Sequence, residues 1–229
     1  MAYKRPDVRA LCRRRLGDLT SPYKWTDDQV NQWINDSISA YSIHFPQTLS
    51  NTINCTDDVR DYALPAGIMQ IRSVEYPDGE DPPEYLYRRE ITHPDFWEVD
   101  GFYAFKAATT NKSIGTLYIS EEPSTGEDII VIYDGEHTYM DDDDTDELTV
   151  MERHLDLIIL YVRMAAYQEL ATTESANPDP TTLMSGTLEL NAFRASREYR
   201  IALAAFLKKD TPNSSAFAQW NMDTHDRIY

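Results

Sequence analysis

Carboxylates are crowded most tightly in residues 138–148, TYMDDDDTDEL, where Asp141, Asp142, Asp143 and Asp144 follow one another. Such a run could hold a hard cation, and Asp141, Asp143, Thr145 and Glu152 fall at positions one, three, five and twelve of an EF-hand-like count. Position six is Asp146, where the sharp turn of that loop requires glycine. A hydrolase would need two carboxylates facing across a cleft, and nothing in so acidic a chain selects a pair. His44, His93, His137, His154 and His225 have no metal-ligand spacing, and Cys12 and Cys55 form no CxxC pair. Signatures for dinucleotide binding, phosphate binding, serine hydrolysis and zinc proteolysis are missing from the sequence. The expectation is a protein with no catalytic residue, no cofactor and no metal. The four aspartates then read as a solvated loop that repels itself and feeds the positive end of a following helix.

That loop stands between two kinds of pattern. Before it comes the strand-like run Ile129, Ile130, Val131, Ile132, Tyr133. After it, Thr149 and Glu152 form a capping-box pair, and Leu155, Ile158, Ile159, Val162, Ala166 and Leu170 make a wide apolar face. A further helix follows Pro178 and Pro180, with Leu188, Ala192, Ala195, Tyr199, Ala202, Leu203 and Phe206 on one side. Its other face holds Arg194, Arg197, Glu198 and Arg200. At the N-terminus, Pro6 suits a first helical turn, Val8, Leu11, Cys12 and Leu16 share a face, and Gly17 ends the helix. A second capping box, Thr26 with Gln29, opens a helix striped by Val30, Trp33, Ile34, Ile38, Tyr41 and Phe45, which Pro46 stops. Trp25 and Trp33 read as packing anchors.

From about residue 51 to 134 the helical period disappears. Short β-branched and aromatic runs at 59–64, 69–76, 85–87, 102–106, 114–119 and 129–133 are separated by turn formers such as Pro77-Asp78-Gly79 and Ser124-Thr125-Gly126. The pattern predicts an α+β protein: an antiparallel helix bundle made by the N- and C-terminal helices, with an inserted antiparallel β-sheet or small sandwich. The expected boundaries are 1–48 for the first bundle helices, 49–140 for the β insertion, 141–209 for the later bundle helices and 210–229 for an extended arm. That arm carries Phe217, Trp220, Met222, Ile228 and Tyr229. Spaced anchors on a flexible lead suit a segment that folds onto a partner, although a tail tucked against its own domain has the same composition.

With 229 residues, 41% of them hydrophobic, the chain can bury a substantial core. Its mean hydropathy of -0.54, and the lack of any run near the roughly 20 apolar residues that span a bilayer, argue against a membrane partner. No apolar secretory segment follows MAYKRPDVRALCRRR, so signal-peptide export is not expected and a reducing compartment is the default. A net charge of -18 opposes general nucleic-acid binding. Arg5, Arg9, Arg13 and Arg14 nevertheless crowd one end, which fits contact between copies or with another protein, or simply a solvated helix face.

Three phrases, taken in order, resemble the head-tail adaptors of tailed bacteriophages, including the tail-tubular type. WTDDQVNQWINDSISAY resembles their first bundle helix, YALPAGIMQIRSVEYPDG their Leu-Pro turn and strand, and IIVIYDGEHTYMDDDDTDEL their strand, acidic loop and third-helix entry. The irregular stretch 77–108 departs from that pattern. The resemblance implies a structural virion protein, assembled in the host cytoplasm, forming a ring of twelve copies at the head-tail interface. It further implies contact with the portal through the C-terminal arm, with neighbouring copies, and with a downstream tail or nozzle protein. DNA would pass through such a ring without specific binding, helped by a like-charged lumen. Two other classes remain open on the residues alone: a carboxylate-dependent hydrolase, and a receptor- or carbohydrate-binding module built on the β region.

Overall fold

A computed structural model describes residues 3–106, 115–143, 145–175 and 182–210. The chain divides into a helical unit, contributed by residues up to His44 and from Thr138 onward, and a β unit, Phe45–His137. The fold is α+β.

In the helical unit, α1 (Arg5–Leu16) begins with Pro6 in its first turn and the Lys4 backbone N–H donating to Asp7 at 3.1 Å. Gly17 ends it in the left-handed region, φ 73°, where a side chain would be strained. Val8 and Cys12 are buried, and burial pushes the Cys12 thiol up to about 12. The second helix, α2 (Asp27–His44), opens on the capping box that its sequence predicts. Gln29 N–H donates to Thr26 Oγ1 at 3.2 Å, and Thr26 N–H donates to Gln29 Oε1 at 3.0 Å. Both donors would otherwise be unpaired in the first turn. Thr26→Ala is therefore expected to lower stability by about 1 kcal/mol in urea unfolding, whereas Thr26→Ser should change it little. An unchanged midpoint for the alanine variant would show the cap to be dispensable.

Val30, Trp33, Ile34, Ile38 and Tyr41 form the buried stripe of α2, and Trp33 meets Trp25 edge to face at 6.2 Å. The third helix starts later than the Thr149 cap predicts. A turn of 3-10 helix, Glu152–His154, comes first, capped at Met151 without a side-chain bond, and α3 (Leu155–Ser175) follows. Leu157 and Leu160 are buried beside Leu155, Ile158, Val162 and Ala166, because α3 packs against α1, α2 and α4 (Thr182–Asp210) alike. A helix enclosed on several sides has a wider apolar face, and Asp156, Gln168 and Glu169 keep the remaining side exposed. His154 is fully buried, with the Tyr41 hydroxyl 2.7 Å from its Nδ1 and the Phe206 ring edge-on at 4.7 Å. It thereby ties α2 and α4 to the start of α3.

In the β unit, one sheet has the order β1 (Gln47–Asn54), β7 (Asp128–Gly135), β3 (Ile68–Glu75), all antiparallel. The other has the order β2 (Asp61–Ala63), β6 (Thr116–Ile119), β5 (Phe102–Lys106), β4 (Tyr87–Arg88). Its last pair, β4 with β5, is parallel, a departure from the antiparallel expectation. One apolar cluster takes Tyr62, Val74, Leu117, Ile119, Ile129 and Val131 from both sheets, so neither sheet has a separate core. Strand β1 was not foreseen, because QTLSNTIN carries few β-formers. It is half-buried on alternate residues and pairs with β7 along its whole length.

Candidate functional site

The acidic run and the basic N-terminal helix, read separately in the sequence, meet in the structure. Arg5 bonds the Asp143 carboxylate through Nε, and its Nη1 donates to the carbonyls of Met140 at 3.0 Å and Asp141 at 2.6 Å. Arg9 donates to the same carboxylate at 3.2 Å and to Asn31 Oδ1 at 3.1 Å, while its Nε lies 3.6 Å from Asp27. These contacts are possible because Arg5 and Arg9 sit four residues apart, one above the other on α1.

From α2, Asn35 accepts the Met140 N–H at 2.9 Å and donates to Asp141 at 3.0 Å. Met140 itself is fully buried and anchors the loop. The Asp146 carboxylate, at the sixth position of the calcium count, accepts the N–H groups of Asp141 and Asp142, each at 2.7 Å. Glu152, at its twelfth, accepts from the Tyr3 hydroxyl at 3.3 Å. The loop carboxylates thus satisfy backbone donors and arginines. Asp144 lies outside the described residues, among which no group of three or more acidic, histidine or cysteine side chains could hold a metal.

The neighbouring guanidinium of Arg5, helped by that of Arg9, holds the Asp143 carboxyl below its ordinary value of 3.8. A depressed carboxyl stabilises the folded loop above its unfolded pKa, and the contribution is lost as pH falls through the folded value. Arg5→Ala with Arg9→Ala should move the Asp143 carboxyl back up toward its ordinary value, read by carbon-detected NMR titration. The same titration in the unaltered protein should show the loop releasing only below the ordinary carboxylate range. A titration indifferent to loss of both arginines would refute the clamp.

Arg13, one of the four arginines crowded at the N-terminal end, is 6% exposed. It bonds Asp18 at 2.5 Å, Asp27 at 2.6 Å and the Trp25 carbonyl at 3.0 Å, with its guanidinium 3.9 Å from the centre of the Tyr23 ring. Asp18 also accepts the Lys24 N–H at 2.8 Å. Arg13 therefore closes the turn between α1 and α2. Arg14 is exposed and lines a shallow groove with Leu11, Ile159 and Phe206. Of the four crowded arginines, it is the one directed to solvent without an ion pair among the described residues.

On α4, Ala195 is buried and the stripe from Leu188 to Phe206 faces the bundle. Glu198, placed on the opposite face by the sequence pattern, instead accepts from Arg15 at 2.7 Å and Arg163 at 2.6 Å. A second apolar stripe passes unnoticed in the sequence: Leu190, Phe193 and Ile201 are 45%, 65% and 59% exposed, interspersed with Arg194 and Arg197. The signal was present in their spacing, because Leu190, Phe193 and Ile201 fall on one helical face, with Arg197 between the last two at a four-residue step from each. The anchors Phe217, Trp220, Met222, Ile228 and Tyr229 lie outside the described residues.

In the β unit, the Tyr76 hydroxyl bonds the Glu127 carboxylate, and burial with that bond raises the tyrosine pKa. Burial also raises the Glu121 carboxyl, whose acceptor role is filled by the Gly101 N–H at 2.9 Å. These are contacts that hold turns together. Among the described residues no helix is long and apolar enough to cross a membrane.

An α+β chain whose acidic loop is held by its own arginines, with an exposed apolar stripe left on its longest helix, has the features of a structural interaction protein. A family model described as SU10 adaptor protein matches residues 6–218, and the chain belongs to that family. It is thus a structural adaptor of a bacteriophage virion, working among other phage head and tail proteins. No curated protein matches the sequence.

Proposed function

We propose that the protein is a head-tail adaptor: a ring of copies seated between the portal and the tail, with a channel through which DNA passes. The observation that carries this reading is the solvent face of α4, where Leu190, Phe193 and Ile201 stand exposed among arginines. Large apolar side chains grouped on one face mark a surface that another protein covers. On a chain of net charge -18, arginines beside them favour an acidic neighbour, which a second copy provides. The portal contact falls to the arm, residues 210–229, and Arg14 adds an exposed cation beside α4. A twelve-membered ring matches the symmetry that the adaptor resemblance implies.

Mixing the protein with dodecameric portal particles and imaging the product by electron microscopy tests this directly. A ring of twelve copies on one face of the portal is the expected result. Failure to bind, with a stable unrelated assembly in its place, would overturn the reading. In the ring, Asp and Glu should outnumber Lys and Arg along the channel wall, since bound phosphates would slow DNA passage. A strongly basic wall would refute that part.

A further inference from the structure

Among the described residues of the β unit, a groove carries charge that runs against its surroundings. Residues 45–137 contain eighteen Asp and Glu against six Lys and Arg. Of the described cations, Arg60 is paired with Glu122 at 2.5 Å and Arg72 with Asp134 at 2.6 Å. The other three, Arg88, Arg89 and Lys106, line a single groove of about 660 Å³, together with Ile91, Phe105 and Tyr118. Arg88 and Lys106 are exposed and make no ion pair among the described residues. Arg89 lies over the Phe102 ring at 3.9 Å and reaches Asp95 at a looser 3.5 Å. The topology creates this cluster: parallel pairing sets Arg88 beside Tyr103 on β5, and Lys106 ends the same strand.

With no carboxylate partner among the described residues, Arg88 and Lys106 leave their charge available to an acidic ligand, and Arg89 adds a third cation to the same groove. We propose that this groove receives an acidic segment of a partner polypeptide, a contact separate from any ring or portal contact of the helical unit. Guanidinium groups bind carboxylates through paired, charge-assisted hydrogen bonds, and the Tyr118 and Thr92 hydroxyls beside them can donate as well. Ile91, Ala104 and Phe105 give the groove apolar wall for the intervening side chains. Its volume lies in the range of sites for short ligands. Glu90 on the lining repels a misplaced carboxylate and so sets register. A long polyanion such as DNA is disfavoured, because the surrounding excess of carboxylates acts on every phosphate beyond the groove.

The full chain is titrated at low salt with a fluorescein-labelled peptide of the chain's own residues 138–148, used as the acidic probe. A version with Asn replacing each Asp and a 12-nucleotide single-stranded DNA serve as comparisons. Arg88→Glu with Lys106→Glu should weaken peptide binding at least tenfold. Lys208→Glu with Lys209→Glu, an equal charge change at the end of α4, should weaken it less than threefold. Arg88→Gln with Lys106→Gln, checked by circular dichroism, supplies a milder variant should the reversal disturb the sheet. Equal losses in the two reversed proteins would overturn the proposal. So would tighter binding of the DNA or of the Asn peptide, or no binding of the acidic peptide.

Discussion

Arg13→Ala should cost the helical unit about 3–5 kcal/mol, the usual range for removing one member of a buried ion pair. The loss would be severe because Asp18 stays behind, 8% exposed, with the Lys24 and Trp25 backbone N–H groups as its remaining partners. The Trp25 carbonyl loses its donor, and the Tyr23 ring loses the cation stacked on it. Asp27, by contrast, is half exposed and can be resolvated, so its share of the loss is small. Against a typical total of about 5–15 kcal/mol, such a change leaves little margin. Urea unfolding followed by circular dichroism and tryptophan fluorescence measures it, with Trp25 and Trp33 reporting from the junction itself. Arg13→Ala with Asp18→Ala should be less destabilising than the sum of the two single changes, because the stranded charge is gone. A loss below about 1 kcal/mol for Arg13→Ala would show that the pair does not hold the turn.

Deleting residues 210–229 should abolish docking onto the portal while leaving the fold intact. The deletion removes only the last residue of α4, Asp210, from the described bundle, so circular dichroism and the unfolding midpoint should change little. The arm carries Phe217, Trp220, Met222, Ile228 and Tyr229 within thirteen residues. Aromatic anchors at the centre of an interface typically contribute about 2–4 kcal/mol each, so losing two weakens binding by roughly a thousandfold or more. Trp220→Ala alone should give an intermediate loss. Docking that survives the deletion would refute the arm as the portal contact. Loss of docking together with loss of secondary structure would instead assign residues 210–229 to the fold.

The elements decided by neighbours within about four residues could be read directly from the sequence. Thr26 and Gln29 announce their capping box, Gly17 its left-handed stop, and the three- and four-residue steps of Val30, Ile34, Ile38 and Tyr41 their buried stripe. Short β-branched and aromatic runs between turn formers likewise located β5, β6 and β7, since such side chains suit a pleated, half-buried surface. Strand β1 escaped because its place depends on β7, about eighty residues away, rather than on its own composition.

Charge was the least legible property. The sequence showed a basic end and an acidic loop, and from these alone contact between copies was as reasonable as a solvated face. Tertiary structure brought Arg5 and Arg9 onto Asp143 and buried Arg13 against Asp18, so three of the four arginines have partners in their own chain. It also gathered Arg88, Arg89 and Lys106 into one groove. The physical reason is range. Backbone periodicity and caps act over a turn or a pleat, and the sequence records them in order. A side chain's ionic partner depends on which distant segments the core brings within a few ångströms, and hydrophobic burial, which drives that packing, is non-directional and leaves no local spacing to read.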